Sequence, residues 1–296
     1  MFKEELKNWI EKNPKLVSMK ESTTHPGLFV LKYKKKVFYD NLWNRFLEEC
    51  RGTIVDKDFN LVSRPFTKIY NYRIEKKAPK LNDNVKIHAY RKINGFMAAI
   101  TYWNNDLLIS TTGSLDSDFV KMIRDSINYE HYKKICQSHS EMTFIFECVH
   151  KDDPHIIPET KGMYLIGYRN KDWESKVNID FDQLTFYTTE FGSNPVEHFS
   201  TTVGELLNAV KTVRHEGFVA YTDDGQAFKI KSPHYLVNKF VARNPRTDKL
   251  MRADIKNSLD EEFYGLIDAI QANIESYTAL DEQARLAWIR NFLENV

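Results

Sequence analysis

The sequence predicts an α+β fold: a mixed, mainly antiparallel β body followed by a small all-α C-terminal domain. Three observations carry this reading. Short β-rich runs come in neighbouring pairs joined by turn residues, as at Met97 to Trp103 and Leu107 to Thr111 around Asn104-Asn105-Asp106. The strands do not alternate regularly with helices, which argues against a doubly wound parallel sheet. About the last fifty residues have helical spacing only.

Taken in order, Glu4 to Glu11 predicts a helix with Leu6, Trp9 and Ile10 on one face, stopped at Asn13-Pro14. Gly27 to Tyr33 is a strand, and Val37 to Tyr39 is a candidate hairpin partner. Gly52 to Asp56 and Leu61 to Ser63 form a strand pair, and Arg64 to Tyr72 is an ordered loop because of its proline. Val85 to Arg91 joins the β-rich runs. Gly113-Ser114 opens a helical run to about Tyr129, and Glu130 to Gln137 is a second helix. Met142 to Val149 and Met163 to Tyr168 are apolar strands around a polar loop, His150 to Thr160. Asp172 to Glu197 is poorly patterned and is expected to be an insertion or peripheral elements. Thr201 to Val213 is a helix, Glu216 to Tyr221 and Ala227 to Lys231 make a hairpin, and His234 to Ala242 is a helix. Ser258 to Glu261 has capping-box spacing. Phe263, Leu266, Ile267, Ile270 and Ile274 then form one stripe, and a last helix turns Ala284, Ala287, Trp288 and Phe292 inward. The domain break is expected at Asn244-Pro245-Arg246-Thr247, giving domains 1–245 and 246–296.

A chain of 296 residues, 42% hydrophobic and 28% charged, buries a real core without disulfides. Its three cysteines (Cys50, Cys136, Cys148) fit unpaired thiols in a reducing, intracellular compartment such as the cytoplasm. The charged, amphipathic N-terminus does not read as a signal peptide, and no apolar run is long enough for a membrane span. The net charge of +1 hides an asymmetry: Arg64 to Lys92 holds nine Lys/Arg against two acids, and Asn257 to Val296 holds eight acids against two Arg. The basic segment suits a polyanion, or is a solvated face.

A few residues are candidates for chemistry. Lys92, in Tyr90-Arg91-Lys92-Ile93-Asn94-Gly95-Phe96, becomes a nucleophile only if burial and nearby cations lower its ordinary pKa of about 10.4. Lys229 and Lys231 alternate with Ile230, so both project from one strand face, either onto phosphate oxygens or as ordinary edge-strand lysines. Glu147, inside Phe144 to Cys148, needs a partner: a ligand hydroxyl or a structural arginine. Glu216, before Gly217, is either a metal-side carboxylate or a strand-end acid. Tyr70, Tyr72 and Phe66 either stack on bases or pack in the core. His150 and His155 match no zinc spacing, and neither a Walker loop nor a dinucleotide fingerprint occurs.

As an ordered set the signals are more specific. Lys92-x-x-Gly95, Phe146-Glu147, Tyr164 to Arg169, Glu216-Gly217-x-Val219 and Phe228-Lys229-x-Lys231 resemble motifs I, III, IIIa, IV and V of the covalent nucleotidyltransferase superfamily of ligases and capping enzymes. Upstream, Glu49-Cys50-Arg51-Gly52 and Arg64-Pro65-x-x-Lys68-x-x-Asn71 resemble the T4 RNA ligase 1-like group, to which the adenylyltransferase domain of fungal tRNA ligases is related. The resemblance covers about Leu47 to Tyr235. Two positions depart from the common pattern: Asn94 stands where aspartate is frequent, and Thr112 where a cation often precedes Gly-Ser.

The resemblance implies an ATP-grasp-like adenylyltransferase domain and an ATP-dependent RNA ligase. Lys92 would be the nucleophile that becomes AMP-lysine, AMP would pass to an RNA 5′-phosphate, and a 3′-hydroxyl would displace it. Glu147 would hold the ribose, Glu216 a Mg²⁺ or Mn²⁺, and Lys229 and Lys231 the α-phosphate. Arg51 and Lys68 would contact the outgoing phosphates, and Gly95 would line the nucleotide. The expected partners are RNA with 5′-phosphate and 3′-hydroxyl ends and an end-healing kinase–phosphatase, with no membrane and a monomeric state. The alternatives are a relative acting on DNA ends or using GTP, and a non-catalytic RNA-binding relative.

Overall fold

Hydrogen-bonded ladders gather the strands into three sheets in the computed structural model, which describes residues 1–243, 250–252 and 254–295. The expected break at Asn244 to Thr247, and so the 245/246 boundary, lies outside these residues. The chain divides into two interleaved units. The first is Met1–Lys68, Gly95–Pro154 and Glu159–Val196, and the second is Ile69–Asn94, His155–Pro158 and Glu197–Val296.

The first unit holds two antiparallel sheets. One runs β1 (Val17–Glu21), β2 (Leu28–Tyr33), β3 (Arg51–Asp56), β4 (Leu61–Ser63) in sequential order. The other has the order β10 (Gly162–Asn170), β9 (Met142–Val149), β7 (Phe96–Trp103), β8 (Asp106–Ser110). Asn104 and Asn105 take φ of 49° and 63°, the left-handed pair that a tight β7–β8 hairpin needs and that asparagine tolerates. Leu28, Val30, Ile54, Val62, Leu108 and Leu115 make one core cluster.

Two expectations fail in this unit. Val37 to Tyr39 is not a hairpin strand but part of helix α2 (Lys35–Tyr39), with α1 at Phe2–Lys12. The partner of β2 is β1, whose Val-Ser-Met-Lys-Glu is half exposed and so carries little periodic signal. Nor is Asp172 to Glu197 peripheral. It contains α6 (Phe181–Phe191), preceded in the chain by α3 (Arg45–Glu49), α4 (Asp118–Asp125) and α5 (Tyr129–Ser138). Leu184, Tyr187 and Phe191 of α6 are buried, and the last two pack edge-on against Phe144. Threonines and the exposed Phe186 dilute the helical pattern there, so burial exceeds what periodicity advertises.

The second unit holds one sheet of order β11 (His198–Thr202), β6 (Lys86–Arg91), β12 (Gly217–Tyr221), β13 (Ala227–Lys231), β5 (Tyr70–Asn71). Only the short β5 is parallel to its neighbour. The proposed helix from Thr201 begins instead at Val203 (α7, Val203–Ala209), because His198–Thr202 pairs with β6. A full capping box, Thr202 with Glu205, marks that switch. Val203, Leu206 and Val210 then pack on Ile87, Ala89 and Phe218. Tyr72 is buried against Phe228, with its hydroxyl donating to the Leu81 carbonyl; Tyr70 is buried as well, so both are core residues.

The C-terminal helices Tyr264–Ala272, Ile274–Ala279 and Glu282–Glu294 share a core with α8 (Pro233–Arg243) through Tyr235, Leu236, Phe240, Phe263, Leu266 and Ile270. Two 3₁₀ turns, Ile255–Ser258 and Glu261–Phe263, precede the α-helix that starts at Tyr264, and the Ser258 side chain of the expected capping box lies outside what the structure describes. In the last helix Trp288 and Phe292 pack against this core as expected, but its fully buried positions are others. Ile289 and Leu293 are buried while Ala287 is exposed, since branched side chains win the core over alanine. Among the described residues, no helix is long and apolar enough to cross a membrane.

Candidate active site

The register of the second unit's sheet brings Lys92, Glu216 and Lys231 to one end of three adjacent strands, β6, β12 and β13. Gly217 pairs with Lys231, and Phe218 with Arg91. Just past β6, the Lys92 N–H donates to the Gly217 carbonyl at 2.8 Å, and the Ser232 N–H donates to the Glu216 carbonyl at 2.9 Å. Only glycine fits at position 217: φ is 134°, and a Cβ would lie 2.1 Å from the Ile230 carbonyl oxygen.

Glu216 is the hub of this strand end. Its Oε2 accepts from Lys92 Nζ at 3.1 Å and from Asn94 Nδ2 at 2.8 Å. Burial pushes its carboxyl up, but the ammonium charges of Lys92 and Lys231 and the hydrogen bonds from Lys92 and Asn94 outweigh that and hold it below the usual carboxylate range. Asn94 uses both ends of its amide, for its Oδ1 accepts from the Ile157 N–H at 3.0 Å. An ionised aspartate has no hydrogen to give Glu216. The departure from the common motif is therefore matched chemically to this strand end.

Lys231 is almost buried and gives two N–H bonds to Glu262, at 2.8 Å to Oε1 and 3.0 Å to Oε2. Burial would pull its pKa down, but Glu262 and Glu216 raise it well above its ordinary value. Lys229, half-buried, lies one strand pair inward, opposite Val219. Both lysines line a cavity of about 320 Å³, together with Asn71, Arg73, Lys211 and Glu262.

The first unit carries the remaining candidates. Glu147 is buried on β9, and its Oε1 accepts from the Gly95 N–H at 3.2 Å. A Cβ on Gly95 would lie 2.4 Å from the Cys148 carbonyl oxygen, so glycine is what lets β7 start against β9. Arg51 opens β3, half-buried, and the Lys68 ammonium stands 4.7 Å from the Trp43 ring centroid. Lys32, which the sequence reading did not consider, reaches across Gly113: a Cβ there would meet its Nζ at 2.7 Å. It thus brings a cation to the Thr112–Gly113 backbone, where Thr112 itself supplies none. Arg64, quoted above only within its motif, takes a structural position. It is 2% exposed and grips Glu49 with Nε at 3.1 Å and Nη2 at 2.7 Å.

Among the described residues, no three His, Cys, Asp or Glu side chains converge as a metal cage. Glu216 offers a hard carboxylate, which suits Mg²⁺ or Mn²⁺ completed by phosphate oxygens and water. The three cysteines are free and buried; burial pushes Cys50 and Cys136 up to about 12, which makes them poor nucleophiles at neutral pH.

A family model described as RNA ligase, of the T4 RNA ligase 1 type, matches residues 49–235, more than half of the chain. The chain belongs to this RNA ligase family. All the candidate residues named from the sequence fall within the match. Lys32 and Glu262 lie outside it. Among curated proteins, none matches this RNA ligase. Among solved structures it is similar to an archaeal ATP-dependent RNA ligase, at TM-score 0.61 and 13% identity, covering 97% of this chain and 75% of that one. It is similar also to an Aquifex aeolicus protein assigned as an ATP-dependent DNA ligase, at TM-score 0.60 and 15% identity, covering 97% and 76%. At such identities these likenesses establish the nucleotidyltransferase fold. They do not separate RNA from DNA ends; the family match is what points to RNA.

Proposed function

We propose that this RNA ligase uses ATP to join RNA 5′-phosphate and 3′-hydroxyl ends through an adenylate on Lys92. The observation that carries the reading is the Lys92–Glu216–Asn94 contact set at the end of β6, inside the matched region. Once deprotonated, the Lys92 amine attacks the α-phosphorus of ATP. A P–N bond forms, the bond to the bridging oxygen breaks, and pyrophosphate leaves. The P–N bond then breaks as the AMP passes to the 5′-phosphate oxygen, and the 3′-hydroxyl displaces AMP to form the phosphodiester.

In this scheme the protein contributes chiefly position and positive charge. Lys229 and Lys231 neutralise the α-phosphate, Arg51 and Lys68 the departing phosphates, and Glu147 holds the ribose beside Gly95. Glu216 would hold the divalent cation, which would supply further neutralisation of phosphate charge. Its present partner, Lys92, keeps the carboxylate compensated until then. Because the ends must be 5′-phosphate and 3′-hydroxyl, an activity that converts other breaks into such ends is the class of partner required.

The test is covalent labelling. The protein is incubated with α-labelled ATP or GTP and Mg²⁺ or Mn²⁺, then denatured. Label from ATP, absent in Lys92→Ala, is expected. No label from either nucleotide would sink the enzyme reading, and label from GTP alone would move it to a capping-type enzyme. Ligation of matched RNA and DNA strands then settles the polymer.

A further inference from the structure

We propose that Glu262, contributed by the C-terminal segment, positions Lys231 for nucleotidyl transfer; this rests on the function proposed above. Glu262 lies outside the matched region 49–235, in the short 3₁₀ turn Glu261–Phe263. Its side chain is 3% exposed, and both carboxylate oxygens accept from the Lys231 ammonium, at 2.8 and 3.0 Å. The same carboxylate accepts from Lys239 Nζ at 2.6 Å, and Lys239 is also paired with Asp260 at 2.5 Å. The Tyr235 ring lies 5.5 Å from both ammonium groups.

Three consequences follow from this arrangement. An ammonium has three N–H donors, so two bonds to one carboxylate leave a single donor with a fixed direction. A lysine as buried as Lys231 would lose charge without an anionic partner, and a neutral amine does little for a phosphate. The third consequence concerns Glu216, whose charge also acts on Lys231. With Glu262 holding it, Lys231 stays off the carboxylate that Lys92 and Asn94 share. Without Glu262, Lys231 competes with Lys92 for Glu216. A carboxylate serving only to pin the C-terminal segment would be satisfied by Lys239 alone. Here it spends two bonds on the lysine at the end of β13.

The experiment measures the single-turnover rate of Lys92 labelling by α-labelled ATP, across ATP concentrations, on the full chain. The proteins are wild type, Glu262→Gln, Glu262→Asp and Lys239→Met, each with its melting temperature. Glu262→Gln is expected to lower the saturating rate by about ten- to a hundredfold, with the half-saturating ATP concentration little changed. Glu262→Asp, which keeps the charge, is expected to recover part of that loss. Lys239→Met removes a buried charge from the same cluster but keeps the Lys231–Glu262 pair, so it should lose melting temperature while labelling at nearly the wild-type saturating rate. The proposal is overturned if Glu262→Gln or, should that variant not fold, Glu262→Asp labels at the wild-type rate. It is overturned equally if Lys239→Met falls as far as Glu262→Gln, which would make the cluster structural. Absence of label in the wild type is a different failure, that of the proposed function itself.

Discussion

Each unit of this protein buries a carboxylate between two cations, yet the two clusters are built from different chemistry. In the first unit Glu49 is held by Arg64 and Arg169, with Arg64 donating further to the Asp172 and Ser175 carbonyls. In the second, Glu262 is held by Lys231 and Lys239, and Lys231 pairs in the sheet with Gly217, the neighbour of Glu216. Arginine stays charged and presents a rigid fork, so its cluster is a fixed joint. Even so, burial pulls Arg169 down to about 10, still protonated at neutral pH. Lysine is a compact charge on a flexible stem whose protonation responds to its surroundings, and its cluster borders a cavity. The comparison teaches that burial of charge alone does not mark an active site. The lysine cluster differs from the arginine one in its cation type and in the cavity that Lys231 and Glu262 line.

The largest effect is expected at Lys92. Lys92→Ala should abolish covalent AMP labelling altogether, as read on a denaturing gel, while circular dichroism stays native. Next comes the arginine joint. Arg64→Ala leaves the buried Glu49 with only its longer contact, to Arg169, and should cost about 3 kcal/mol of stability in urea unfolding. Labelling per folded molecule should be unchanged, and loss of labelling in the folded fraction would mean the two clusters are not functionally distinct.

Asn94→Asp probes the carboxylate that Lys92 shares. It places two carboxyls at the 2.8 Å contact now made by an amide donor. The new carboxyl's folded pKa is raised by Glu216, so its contribution is intact in acid and is lost as pH rises through that folded value. Without metal, the melting temperature of the variant should fall further below wild type as pH rises from 5 to 8. Added Mg²⁺ or Mn²⁺ should restore more in the variant than in wild type, since a carboxylate pair binds the cation better than one carboxylate does.

The signs reverse for the native acids. Glu216 and Glu262 are both held below their ordinary value, Glu262 because Lys231 and Lys239 outweigh its burial. Their stabilisation is therefore complete above about pH 4.3 and lost as pH falls through their folded values. The stability gap between wild type and Glu262→Gln should narrow below that pH in acid titrations of unfolding. The smallest effect is expected at the α7 cap. Thr202→Ala should cost about 1 kcal/mol and leave labelling untouched.

Much of the sheet was legible because its strands alternate or run apolar between turn residues. β3, β9, β12 and β13 fall within a residue of their expected bounds, and the nucleophile candidate sits at the strand end where the reading put it. What stayed illegible has physical causes. β1 and β11 are half-exposed edge strands, with no apolar run to announce them. The importance of α6 comes from aromatic contacts with residues about forty positions away, which no local period encodes. Arg64 was visible only as part of a motif, because its partner Glu49 is brought to it by folding.

By itself the sequence determined the α+β class, the RNA ligase family and the residue types available for chemistry, since motif order and strand periodicity are properties of the chain. Only the tertiary structure decided the partners. It set Glu216 between Lys92 and Asn94, gave Asn94 a use for both ends of its amide, and carried Glu262 to Lys231 from outside the recognised region. Hydrogen bonds and buried charge pairs act over a few ångströms in space, and sequence separation does not register those distances.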